Sequence, residues 1–237
     1  MNDRLRLAVK NIEPPAYLEA RVRNQIRASR KPVKWGPRFV VAAAAIVVCF
    51  GLTVAYQLGY LGFLSSSQES YIATVSNQVA TIMRVGLGDH IHCSVFRKYP
   101  KDAPTVAKLI AGMTPEFRGL IPMVKDHIPG DYELEMAHKC RYHLRPFVHI
   151  SLRKGPSLMS LVIAEKKDGE SFVTDGLVPS LQQSGISVYR AGAQHFHIAA
   201  FETGKHMVFV VSDLPDQTNT ETMLAIAPGV RDFLNRM

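Results

Sequence analysis

Two short runs hold half of the chain's histidines and cysteines taken together: Asp89-His90-Ile91-His92-Cys93, and His138-Lys139-Cys140-Arg141-Tyr142-His143. Imidazole and thiolate suit zinc or copper. His90, His92, Cys93, His138, Cys140 and His143 are therefore a candidate metal-binding set. Cys93 and Cys140 are also a candidate disulfide. In an oxidising compartment, closing so long a loop contributes about 2–4 kcal/mol. Plain core and surface use, with free thiols, is the third reading. A disulfide would remove both thiolates from metal service, although histidines alone can still ligate. No C-x-x-C-H run for covalent haem is present, while an axial histidine to a non-covalent haem stays open.

The remaining histidines are less pointed. His149 projects opposite Val148 and Ile150 in an alternating run, and His195 and His197 fall on one face of another. Such residues are more often surface or satisfied polar groups than ligands. Enzyme signatures are missing: the chain has no G-x-S-x-G, no phosphate-cradling glycine loop and no H-E-x-x-H. The expectation is a protein that is not an enzyme.

The elements that position these runs follow from periodicity. Ile72, Val75, Val79, Ile82 and Met83 recur with a helical period, and Gly86 and Gly88 supply stops. The run 89–93 then leads toward a short strand at Val95 and Phe96. Helices are expected near Val106–Ile110 and, after Thr114-Pro115, over Leu120–Val124. Beyond Pro129-Gly130 the period becomes alternating. Tyr132, Leu134 and Met136 share one face, with Glu133 and Glu135 on a solvated one. In an unbroken strand His138 and Cys140 keep the parity of Leu134 and Met136 and point to the core. Further strands are expected at 148–152, 158–164, 186–189, 194–201 and 207–212, with a closing helix from Thr220 or Thr222. Helices, then strands, then a helix describe an α+β fold with a largely antiparallel sheet and flanking helices.

In front of this domain lies Phe39–Leu64, without a single charged residue. A bilayer core of about 30 Å needs about 20 apolar residues in a helix, so this stretch predicts one transmembrane helix. Trp35 on one side and Tyr56 and Tyr60 on the other suit the two headgroup layers. The chain's net charge is +8, yet residues 1–38 carry ten Lys/Arg against Asp3, Glu13 and Glu19. The excess sits next to the span, which keeps the tail cytoplasmic and argues against nucleic-acid binding. The predicted organisation is a basic tail (1–38), a span (39–64) and an outer domain (65–237), in a bacterial inner membrane.

Within the tail, Pro15 opens a helix on which Leu18, Val22 and Ile26 form an apolar stripe, surrounded by Arg21, Arg23, Arg27 and Arg30. Such a helix either lies on anionic lipid or docks a cytoplasmic partner through Leu18, Arg21, Val22 and Ile26. A further helix is expected over Asp3–Ile12. The run Ile12-Glu-Pro-Pro-Ala-Tyr-Leu-Glu-Ala-Arg-Val-Arg23 and the layout of tail, span and outer domain resemble bacterial transmembrane anti-sigma factors. The tail lacks histidine and the His-x-x-x-Cys-x-x-Cys cluster of the zinc-containing members. The resemblance implies a regulator that relays an outside signal to its tail, with a sigma factor as the implied partner. The competing expectation is a membrane-tethered metal- or haem-binding protein with no signalling role.

Overall fold

The computed structural model describes residues 16–29, 48–51, 53–54 and 67–237. The chain divides into two compact units, residues 1–60 and 61–237. In the first, helix α1 (Ala16–Ser29) forms where the tail's apolar stripe places it. It includes Leu18, and Arg21, Val22 and Ile26 are exposed on it. Residues 48–51 and 53–54 are helical. The remainder of the 39–64 stretch, and the helix expected over 3–12, lie outside the described residues. Among the described residues no helix is long and apolar enough to cross a membrane.

The second unit is α+β. Helix α2 (67–76) and helix α3 (Thr81–His90) come first, and α3 runs on into a π-helical turn, Ile91–Val95. Helices α4 (Val106–Gly112) and α5 (Leu120–His127) follow. Thr105 caps α4 by accepting a hydrogen bond from the Lys108 amide. Seven strands then build one sheet: β1 (Glu133–Tyr142), β2 (Arg145–Lys154), β3 (Ser157–Glu165), β4 (Leu181–Gln183), β5 (Ile186–Ala193), β6 (Phe196–Glu202) and β7 (His206–Ser212). Helix α6 (Asp216–Asn235) closes the chain.

The strand order is β1-β2-β3-β7-β6-β5-β4, with every pairing antiparallel. The chain lays down β1–β3 as a meander and crosses to the far edge over 166–180. It then returns hairpin by hairpin until β7 pairs with β3. Each face of the sheet is covered. Val148, Ile150 and Leu152 pack with Leu120, Val124, Met223 and Val230 of α5 and α6. Phe147, Val162 and Phe209 pack on the other face with Ile72 and Val75 of α2 and Met83 and Leu87 of α3.

Four local departures from the sequence expectation shape the site. Gly86 and Gly88 do not stop α3. They let it approach the sheet: a Cβ on Gly86 would sit 2.3 Å from Phe209 Cγ, and one on Gly88 would sit 3.0 Å from Tyr142 Cε1. The run 89–95 is not the approach to a strand but a widened continuation of the helix, with the Phe96 amide donating to the Ile91 carbonyl. In β1 the register slips between Leu134 and Met136. This bulge divides the expected parity, so Leu134 joins the α5/α6 side, whereas Cys140 packs with Phe147 toward α3. Glu135 is therefore not on a solvated face; it is buried and accepts a 2.5 Å hydrogen bond from Arg153 Nε. Gln194 and His195 form the turn before β6, with Gln194 at φ 54°, so His195 does not share a strand face with His197.

Candidate functional site

A buried polar cluster lies where the end of α3 rests on β1, β2 and β3. The π-turn brings Asp89, His90, Cys93 and Ser94 onto the sheet-facing side of the helix. A regular 3.6-residue period would spread these positions further around the axis. From the sheet, β1 contributes His138 and Cys140, β2 contributes His149 and Ser151, and β3 contributes Ser160. Register explains their meeting. His138 pairs with His149, Met136 with Ser151, and Ser151 with Ser160, so these side chains line one face of three adjacent strands.

Asp89, Cys93, Cys140 and His149 present ligand atoms that all lie within 4.8 Å of one another, and the four can hold a metal ion. Asp89 Oδ2 is 2.7 Å from His149 Nδ1. Asp89 Oδ1 accepts from Cys140 Sγ at 3.2 Å and, more weakly, from Cys93 Sγ at 3.7 Å. Both cysteines are free thiols. Asp89 and His149 are wholly buried, Cys93 is 9 % exposed, and Cys140 is partly open.

Behind His149 the serines form a relay. His149 Nε2 is 2.8 Å from Ser160 Oγ and 2.9 Å from Ser94 Oγ. Ser94 Oγ is 2.9 Å from Ser160 Oγ and 2.6 Å from Ser151 Oγ, and His90 Nδ1 is 2.7 Å from Ser160 Oγ. The hydroxyls close consistently when both imidazole N–H groups donate to Ser160, Ser160 donates to Ser94, and Ser94 donates to Ser151. His90 Nε2 then points, as an acceptor, into a buried position without a partner.

Charge in the cluster is shared unevenly. Burial opposes a charge on His149, but its hydrogen bonds to Asp89 and Cys93 outweigh burial and raise its pKa to about 9. The Cys93 thiol is held far below its ordinary value, first by the hydrogen bond from Cys140 and against its own burial, then by His138 and His149. Cys140 is pushed up by the same bond with Cys93, by burial and by Asp89. His90 is lowered to about 3 by burial and by the neighbouring His149 and His195.

Of the residues singled out in the sequence, Cys93 and Cys140 meet here, and His138 borders the cluster with its ring 5.8 Å from that of His149. His90 is bound into the serine relay. His92 and His143 lie outside the cluster: His92 is exposed and stacks on Tyr142, and His143 faces Glu69 at 3.5 Å. Asp89 and His149 were not in the expected ligand set. Asp89 stands four residues before Cys93 on the same helix, and His149 sits opposite two apolar neighbours on a core strand, signals that become specific only once the pairing is known. Ser94, His149 and Asp89 are linked like a hydrolytic triad. Ser94 is wholly buried. No protein-family model matches the chain, and neither does any curated protein or solved structure.

Proposed function

We propose that the chain is a membrane-tethered regulator. Its outer domain detects a chemical signal at the Asp89/Cys93/Cys140/His149 cluster and relays it to the basic tail. The observation that carries this reading is the cluster itself. A charged, hydrogen-bonded set in the space between α3 and the sheet is poor at stabilising a fold compared with apolar side chains of similar volume. Perturbed, mutually coupled groups of this kind concentrate at functional sites.

The relay follows from connectivity. The uncharged 39–64 stretch supplies the anchor, and α2 begins at residue 67, three positions beyond it. Two of the four ligand atoms of the cluster, those of Asp89 and Cys93, belong to α3 and its π-turn. The other two belong to the sheet. A change at the cluster therefore alters how α3 is held on the sheet, close in sequence to the anchor. The cytoplasmic end is the α1 helix with Leu18, Arg21, Val22 and Ile26, and a sigma factor is the partner class that the anti-sigma-like layout implies.

The test is genetic. In its own bacterium, loss of the gene changes transcription of a defined gene set, wild-type chain restores it, and a chain lacking residues 1–38 does not. An unchanged transcriptome, or full restoration by the tail-less chain, overturns the regulator reading and leaves a tethered binding protein.

A further inference from the structure

We infer that Asp89, Cys93, Cys140 and His149 form a closed, four-coordinate site for a thiophilic divalent cation of the zinc class. This deepens the proposed function by naming its signal, and rests on that reading only for what binding does to the tail.

The donor set is the first argument. Two thiolates, one imidazole and one carboxylate are soft to intermediate ligands that favour zinc over magnesium or calcium. All four protein positions are filled, which is the arrangement of a structural or regulatory site and not of a catalytic one. The set is drawn from a helix and two strands, so it forms only in the folded domain.

Geometry is the second. Zinc bonds of about 2.3 Å to sulfur and 2.0–2.2 Å to nitrogen and oxygen place tetrahedral donors roughly 3.3–3.8 Å apart. The four ligand atoms already lie within 4.8 Å of one another. Asp89 Oδ1 stands at 3.2 Å and 3.7 Å from the two sulfurs, close to edges of such a tetrahedron. The 2.7 Å hydrogen bond of His149 Nδ1 runs to the other oxygen of that carboxylate, Oδ2. Binding through Oδ1 releases the proton of that hydrogen bond and puts the cation in its place.

The surroundings are the third. His149 Nε2 is held by Ser160 and Ser94, which keeps its proton on that side, so that release of the Nδ1 proton on binding turns a lone pair toward the cluster. A hydrogen-bonded far nitrogen is the usual support of a metal-binding histidine. Entry is from the Cys140 side, where the site is partly open. A cleft of about 420 Å³ lies nearby, lined by Gly88, the residue before Asp89, and by Tyr142, Glu69 and His143. Neither His92 nor His143 is required.

The experiment uses the full chain in detergent or a nanodisc, on a Cys49→Ser background so that thiol counts report Cys93 and Cys140 alone. The protein is reduced, stripped of metal and titrated with Co²⁺ and then Zn²⁺. The expected result is one equivalent of Co²⁺ with intense tetrahedral visible bands and a thiolate-to-cobalt charge-transfer band, displaced by one equivalent of Zn²⁺. Ser160→Ala, which touches no metal, weakens binding by about 10–100-fold. Cys140→Ser weakens it further and lowers the charge-transfer intensity, whereas His92→Gln leaves affinity unchanged. Circular dichroism accompanies each variant, and if Cys140→Ser does not fold, the wild-type spectrum and Ser160→Ala decide. Fully reduced thiols that take up no Co²⁺ or Zn²⁺, an octahedral spectrum without charge transfer, or Ser160→Ala binding like wild type would overturn the site. Tight binding combined with an unaltered transcriptome would retain the site and overturn the regulator reading; the reverse combination would do the opposite.

Discussion

His149 donates its Nδ1 proton to Asp89 Oδ2 across 2.7 Å, and solvent reaches neither side chain. This ion pair joins the last turn of α3 to the second strand of the sheet. Breaking a buried pair from one side leaves the other charge unpaired, which typically costs about 3–5 kcal/mol. Asp89→Ala is therefore expected to destabilise the metal-free domain by that amount. Urea unfolding in the presence of chelator measures it, and a loss under about 1 kcal/mol would show that the pair behaves like a surface one.

Stability of the metal-free protein is expected to fall on the acid side of about pH 6.5. His90 is depressed to about 3, so the unfolded chain binds its proton first and stability falls as pH drops below the unfolded value of about 6.5. His149 is raised to about 9, so its own contribution is lost as pH rises from about 6.5 toward 9, but the Cys93 thiol, held below its ordinary value, gains over the same range and offsets that loss. The share of His90 in this acid limb approaches about 1.4 kcal/mol per pH unit. Thermal midpoints in chelator from pH 4 to 10 trace the curve, and His90→Gln should flatten its acid side alone.

Gly86→Ala tests the close seating of α3. The added Cβ would lie 2.3 Å from Phe209 Cγ, inside any tolerable contact. Overpacking of this kind costs about 1–3 kcal/mol, against the gain of about 1 kcal/mol that alanine brings to an unencumbered helix. Denaturant unfolding should show net destabilisation. The same change should cost less in a Phe209→Ala background, where Cγ and Cδ1 are gone.

Metal removal should be visible in the melting curve. A ligand bound only by the folded state stabilises by about 4 kcal/mol at a thousandfold excess over its dissociation constant. Zinc at saturating concentration is expected to raise the thermal midpoint of the wild-type chain, and chelator to reverse the gain. Scanning calorimetry of wild type beside Cys140→Ser measures it, with a smaller zinc-dependent shift expected in the variant at the same zinc concentration.

A reporter active only outside the cytoplasm, fused after Met237, is expected to be active, and the same reporter fused after Arg38 inactive. Activity at Arg38 would reverse the orientation drawn from the tail's charge.

Residue types and spacing alone determined the helix-then-strand order, the antiparallel character of the sheet and the α1 helix. Each of these rests on local periodicity, a period of 3.6 or of 2, which a single stretch of chain displays by itself. The uncharged 39–64 run and the basic excess before it are likewise written in the sequence. Cys93 and Cys140 stood out because sulfur is scarce, and the structure brings them together. What the tertiary structure alone decided is their company. The bulge at Leu134/Met136 reverses the parity of a strand that reads as continuous, because it depends on pairing with β2 and not on β1's own residues. The π-turn at Ile91–Val95 makes a helix of a short run that alternation reads as approaching a strand, because only contact with the sheet fixes its form. Asp89 and His149 are sixty residues apart, and nothing local distinguishes them from an ordinary helix-end carboxylate and a strand histidine. They became partners when β1, β2 and β3 came into register beneath α3.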